Sequence, residues 1–278
     1  MPYAHRRALL ACACALLAAC TPFAPPPPAI APQPATPSER APAMPAPAWQ
    51  QPGMHVLHIV PQASLLTITV RRGGALARLG HDHVIASRTV QGVVAPAPGR
   101  AAFAFRLDEM SVDEEGLRQA AGLTTTPSAD AIAGTRHNML VRVLDAERYP
   151  WVRVDARRID ARRIDARRIG ARPIDAGSNG DGGELLDADI SLHGVTRKVQ
   201  VPVQISQAAD GSVLASGSLL LKQSDFGIVP FAILGGAMAV QDQMELAFRI
   251  TATADGKAAA ASEMNEPSAP VSGASPGR

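Results

Sequence analysis

Leu192-His-Gly-Val-Thr-Arg-Lys-Val-Gln-Val-Pro-Val203 decides the fold of this chain. His193-Gly194 is a tight turn, and the strand it feeds alternates Val199, Val201, Val203 and Ile205 against Gln200, Pro202 and Gln204. Upstream of the turn, Leu186, Ala188, Ile190 and Leu192 alternate with Asp187, Asp189, Ser191 and His193. The same period of two recurs in Leu66, Ile68 and Val70, in Phe103, Phe105 and Leu107, and in Met244, Leu246, Phe248 and Ile250. One apolar and one polar face per strand suits an antiparallel sheet with one solvated side. Closing that sheet removes its edges and encloses an interior. About 200 residues carry these patterns, enough for one all-β domain.

Helical signal is confined to an insert between Leu107 and Pro150. Ser111-Val-Asp-Glu114 reads as a capping box that opens a short helix through Ala121, with Asp113 and Glu114 as helix-start residues. Ser128 caps a second helix that presents Ile132, Met139, Leu140, Val143 and Leu144 on one face. That helix stops at Tyr149-Pro150, because Pro150 biases Tyr149 away from the α region, and a strand follows.

Three stretches together resemble the YceI-like family of bacterial envelope proteins: Asp145-Ala-Glu-Arg-Tyr-Pro-Trp-Val-Arg-Val154, the opening stretch, and Leu221-Lys-Gln-Ser-Asp-Phe-Gly-Ile228. The resemblance covers about Met54 to Ala254. It implies an all-β fold, an antiparallel lipocalin-like β-barrel with a short helical insert packed against it. It also implies non-enzymatic binding or carriage of a long isoprenoid, an isoprenoid quinone or a similar amphiphile. Alternation and family position together mark Phe103, Phe105, Leu140, Phe226 and Phe231 as candidate cavity residues.

The N-terminus reads as a targeting segment, residues 1–19. His5, Arg6 and Arg7 form a positive start, and Ala8 to Ala19 form an apolar run too short to span a bilayer. Leu17-Ala18-Ala19-Cys20 looks like a bacterial lipoprotein cleavage box with Cys20 as the first mature, lipidated residue; an ordinary secretory signal with Cys20 incidental is the alternative. The chain has three cysteines, and Cys12 and Cys14 would leave with the signal. No disulfide, thiolate metal site or cysteine nucleophile then remains for the folded part. Residues 20–53 read as a lipidated, Pro-rich tether, since 12 of the 24 prolines fall within 21–53 and favour extended polyproline II. Residues 54–254 are the barrel domain and 255–278 a disordered tail. These features together lead to the expectation of a protein in the bacterial envelope, membrane-anchored and facing the periplasm.

Asp155-Ala-Arg-Arg-Ile runs three times and decays through Gly170-Ala-Arg-Pro-Ile174, a departure from the family pattern. A period of five makes no stripe on a helix and alternates faces on a strand, so the tract is expected as a strand tip extended into a surface hairpin or loop. Between Asp155 and Asp175 there are seven arginines and four aspartates, 7 − 4 = +3, against a whole-chain charge of +2. The rest of the chain is therefore near −1, and a nucleic-acid partner is not expected; contact of this tract with anionic lipid is an open alternative to a solvated loop.

Gly80-His81-Asp82-His83-Val84 is the sharpest chemical signal in the domain. Three readings stand. His81 and Asp82 hydrogen-bond locally where a loop meets the barrel; or His81 or His83 points a polar tip at a ligand head group; or His81 and His83 share a metal with Asp82 orienting them. A zinc site requires a third protein ligand, for which His137, His193, His55 and His58 are candidates. Catalytic signals are scarce: Ser224-Asp225 has no histidine near it in sequence, and neither a Gly-x-Ser-x-Gly elbow nor a Gly-rich phosphate loop is present. No cofactor is expected beyond a bound isoprenoid-type lipid. Besides carriage, a metal-dependent role on His81 and His83 and a structural barrel filled by its own side chains are the competing readings, since filled and hollow barrels share one alternation.

If Cys20 is the anchor, Cys20→Ser abolishes partitioning of the protein into the detergent phase of a cloud-point separation. A variant that partitions as the wild type does would exclude lipidation at this residue.

Overall fold

A computed structural model describes residues 45–159 and 183–257. The targeting segment, Cys20, the tether through residue 44, the repeat from residue 160 to 182 and the tail from residue 258 lie outside the described residues. The described strands are β1 (Leu57–Ile59), β2 (Leu65–Gly73), β3 (His83–Ser87), β4 (Gln91–Ala95), β5 (Arg100–Arg106), β6 (Ser111–Val112), β7 (Trp151–Arg158), β8 (Gly183–Leu192), β9 (Val195–Gln207), β10 (Val213–Lys222), β11 (Ala232–Ile233) and β12 (Met238–Thr253).

All pairings are antiparallel, and the sheet closes on itself into an eight-strand barrel. β12 is the closing strand. One edge pairs with β10 from Lys222 to Val213; the other takes β2 along Ala239–Arg249 and then β1 at Ala252 and Thr253. β1 and β2 therefore act as one staff broken at residues 60–64. β3 and β4 form the next staff, broken at residues 88–90, and pair with β6 and β5 respectively. From β5 the ring continues through β7, β8 and β9 to β10. Such breaks let strands curve, but they leave polar backbone groups that must find partners. Buried Ser64 supplies one: its hydroxyl donates to Val60 O at 2.8 Å and accepts from Thr251 N–H at 3.1 Å.

The expected turn at His193-Gly194 joins β8 to β9, with Leu192 opposite Val195. Both turn residues take positive φ, +53° and +75°, the geometry whose twist matches a two-residue hairpin. Tyr149 packs against it, with its ring centroid 4.9 Å from that of His193. A Cβ on Gly194 would lie 2.7 Å from Tyr149 Cε1. From the other side Arg197 Nε donates to Asp225 O at 2.6 Å. The three signature stretches thus meet at one end of the barrel, called here the insert end.

The insert itself carries α1 (Glu115–Ala120), α2 (Ala129–His137) and a π-type turn over Asn138–Val143. Ser128 caps α2 as expected, accepting from Ala131 N–H at 3.2 Å. Ile132, Met139, Leu140, Val143 and Leu144 pack against the core. The start of α1 differs from expectation. Ser111 is a strand residue of β6, bonded through its hydroxyl to the Glu114 carboxylate, and Glu114 stands at the N-cap without capping by its side chain. Pairing of β6 with β3 outcompetes the local capping motif. The tether boundary also differs: Trp49 donates from Nε1 to Asp155 at 2.9 Å and lies under the Arg100 guanidinium, so ordered contact with the barrel begins ahead of Met54. Of the repeat, the first copy belongs to β7 through Arg158, with Ala156 buried.

Gly217 sits on the inner alternation of β10, and a Cβ there would lie 2.4 Å from Pro202 O and 2.8 Å from the Phe248 ring. Gly217→Ala should destabilise the barrel by about 1–3 kcal/mol through this overpacking, measured as a shift in the urea unfolding midpoint.

Candidate functional site

Alternation places one side chain in two inside the ring. Leu66, Ile68 and Val70 of β2, Leu186, Ala188, Ile190 and Leu192 of β8, and Met244, Leu246, Phe248 and Ile250 of β12 all face the interior. They enclose a cavity of about 760 Å³, within the usual range for small-molecule sites. The filled-barrel reading is therefore corrected. Eight strands are near the limit that side chains alone can fill, and small residues at inner positions, Ala156, Ala188, Ala215 and Ala252, leave the remaining space.

The wall is apolar along its length, with polar groups gathered toward its two ends. At the end near Trp49 stand Arg100, Arg158 and Gln207; at the insert end stand His83, Thr135, Asn138 and Gln223. Arg158 is held by Glu184 at 2.6 Å and Arg100 approaches Asp155 at 3.4 Å.

Of the eight side chains marked from sequence, Phe103, Phe105, Phe231 and His83 lie in the cavity wall. Leu140 does not: the π-type turn directs it into the packing between insert and barrel, while Met139, Val143 and Leu144 reach the cavity. Phe226 is fully buried in the 3-10 turn Ser224–Phe226 that follows β10, part of the core and outside the cavity wall. His81 and Asp82 also lie outside the wall. Asp82 accepts from Arg72 N–H at 2.9 Å and stands 3.7 Å from both Arg71 Nη1 and Arg72 Nε, which turns its carboxylate toward β2. His81 Nδ1 is buried with no hydrogen-bond partner among the described residues.

His83 is the member of the run that reaches the interior, and its partner is one that sequence reading missed. Its Nδ1 donates to Asp113 Oδ2 at 2.6 Å. Asp113 has a side chain with 0% exposure and a φ of +57°, held by Val84 N–H at 3.0 Å and by Arg118 Nη1 at 2.5 Å. Arg118 is itself buried and also donates to the carbonyls of Asp82 and Thr125. Asp113 had read as a helix-start residue because nothing in the local pattern announces a left-handed backbone turned inward. Burial pushes its carboxyl upward, but hydrogen bonds from His83, Val84 N–H and Arg118, with the charge of His83, outweigh burial and hold it below the ordinary carboxylate value. An ionised Asp113 only accepts, so the proton between the two sits on His83 Nδ1 and leaves Nε2 as the ring's other polar atom. Among the described residues no three His, Cys, Asp or Glu side chains converge as a metal set; the rings of His81 and His83 stand edge to face with centroids 6.3 Å apart.

The YceI-like domain model matches residues 60–252. Among solved structures, the chain is similar to a polyisoprenoid binding domain from Saccharophagus degradans implicated in plant cell wall breakdown. The identity is 12%, over 72% of this chain and 98% of that one, with a TM-score of 0.48. It is similar to Burkholderia cenocepacia BcnA at 15% identity, over 70% of this chain and 99% of that one, with a TM-score of 0.43. Campylobacter jejuni YceI matches at 11% identity, over 59% of this chain and 80% of that one, with a TM-score of 0.35. No curated protein sequence matches the chain.

A carboxyl held below its unfolded value stabilises the fold above about pH 4, and that contribution fades as pH falls through the unfolded and then the folded value. Asp113→Asn should cost about 3–5 kcal/mol at pH 7, because buried Arg118 loses its partner. The gap to wild type should narrow below about pH 4. Urea unfolding of both proteins at pH 7 and pH 3 measures this.

Proposed function

Because the chain belongs to the YceI-like family, we propose that it binds or carries a long-chain amphiphile, an isoprenoid, an isoprenoid quinone or a similar lipid, in the bacterial envelope. The observation that carries the reading is the apolar cavity of about 760 Å³ inside the closed barrel. Chain length follows from magnitudes. Burying a methylene group gains about 0.8 kcal/mol, and association costs about 4–15 kcal/mol. Between about 5 and about 19 methylenes must be buried to break even, so a short-chain amphiphile does not stay bound and a long one does.

His83 gives the ligand a direction. Its imidazole is a polar point in the wall at the insert end, oriented from behind by Asp113, and it faces the polar head group while the tail lies along the barrel. No step of this function requires bond-making. Lipidated Cys20 and the Pro-rich tether hold the barrel at a membrane, on the periplasmic side.

Protein purified from its native membrane should release a stoichiometric long-chain lipid on solvent extraction, identified by mass spectrometry. Ala215→Trp, which fills the cavity from the wall of β10, should lose most of that lipid while keeping the wild-type circular dichroism spectrum. Wild-type protein that yields no lipid would sink the carrier reading.

A further inference from the structure

Between β10 and β12 the chain reads Gly227-Ile-Val-Pro-Phe-Ala-Ile-Leu-Gly-Gly236, ten residues without one polar side chain. Core burial does not explain this composition. Val229 is 81% exposed and Leu234 68% exposed, and Ala232 and Ile233 are exposed beside them. The tip is nevertheless built, since β11 pairs with β12 and Val240 N–H bonds Phe231 O at 2.8 Å.

A second turn is fastened to it. Leu76 N–H bonds Ala237 O at 2.7 Å, and Gly74, at φ +85°, passes so near that a Cβ would lie 2.5 Å from Gly236 O. This turn presents Leu79, 60% exposed, next to exposed Arg78. On the other flank Arg142 of the insert lies over the Phe231 ring at 5.5 Å, beside exposed Val141. Phe231 and Val240 are at once part of this tip and of the cavity wall.

The geometry points to a membrane-docking rim: Val229, Ala232, Ile233 and Leu234 of the loop and Leu79 of the neighbouring turn insert into the interfacial layer of a bilayer, and Arg78 and Arg142 rest on anionic head groups. Two features select a lipid surface as the occupant. Apolar side chains at a tip with cations at its edges match the layering of an anionic bilayer, acyl chains inside and phosphates outside. Phe231 and Val240 also carry the apolar surface of the tip onto the cavity wall, so a lipid moving from bilayer to barrel would meet apolar side chains on the way. A second copy fits less well. A specific pair takes roughly 800 Å² from each partner, and a two-fold contact would bring the same arginines of both copies together. The purpose of the rim rests on the carrier reading; its insertion does not.

The test uses the full chain in vesicles of phosphatidylethanolamine and phosphatidylglycerol with brominated acyl chains, which quench nearby indoles. Val229→Trp adds an indole at the tip, and Ala209→Trp adds one on the exposed turn after β9, at the opposite end of the barrel. Relative to wild type, emission added by Val229→Trp should be mostly lost in brominated vesicles and shifted to the blue, while emission added by Ala209→Trp is unchanged. Equal quenching of the two, or none of either, overturns the rim. So does an unquenched tip accompanied by a dimer in sedimentation velocity, which would assign the surface to a second copy. A quenched tip in a protein whose extract holds no lipid leaves the rim standing and removes the carrier reading alone.

Discussion

Closure of the sheet along β12 is the constraint on which everything else depends. A sixteen-residue strand pairs with β10 on one edge and with β2 and β1 in turn on the other, and once it does, every inner residue of every staff faces the same volume. Nothing polar can be spared there in number, because the interior excludes water. The alternation of Leu, Val and Ile with charged or amide residues is the sequence form of that requirement. At eight strands the ring is barely wider than its own side chains, so a few inner alanines decide whether it is solid or hollow.

The insert end concentrates the polar design. Tyr149 packs on His193-Gly194 there, Arg197 donates to Asp225 O, and the buried Asp113 carboxylate ties β3, through His83 and Val84 N–H, to α1, through Arg118. A carboxylate and a guanidinium withdrawn from water are costly unless each finds several partners. Asp113 has three and Arg118 has Asp113 with two backbone carbonyls. What this cluster secures is the position of one imidazole in an otherwise apolar wall.

Large apolar side chains stand exposed at the same end: Leu79, Val141, Val229, Ile233 and Leu234. Loop tips are ordinarily polar, since water is their solvent, and the 228–236 loop breaks that rule while keeping defined backbone bonds to β12. A polar anchor within and an apolar rim without belong at the same mouth if the ligand is an amphiphile.

The sequence by itself determined the all-β class, the inner faces of β2, β5, β8, β9 and β12, the turn at His193-Gly194 and the cap at Ser128, and its motifs pointed to the family. All of these rest on local signals, a period of two or the backbone preferences of one or two residues. Phe103 and Phe105 were legible as wall residues for that reason, and Phe231 through its position in the family pattern. Only the tertiary structure decided that His83 and neither His81 nor Asp82 faces the cavity, that Leu140 and Phe226 pack elsewhere, that Asp113 turns inward, and that Trp49 docks on the barrel. Each depends on groups far apart in the chain, 106 positions in the case of Trp49 and Asp155. Hollowness was hidden for a related reason: alternation records which way a side chain points, whereas the volume left between facing walls is set by all eight staves at once.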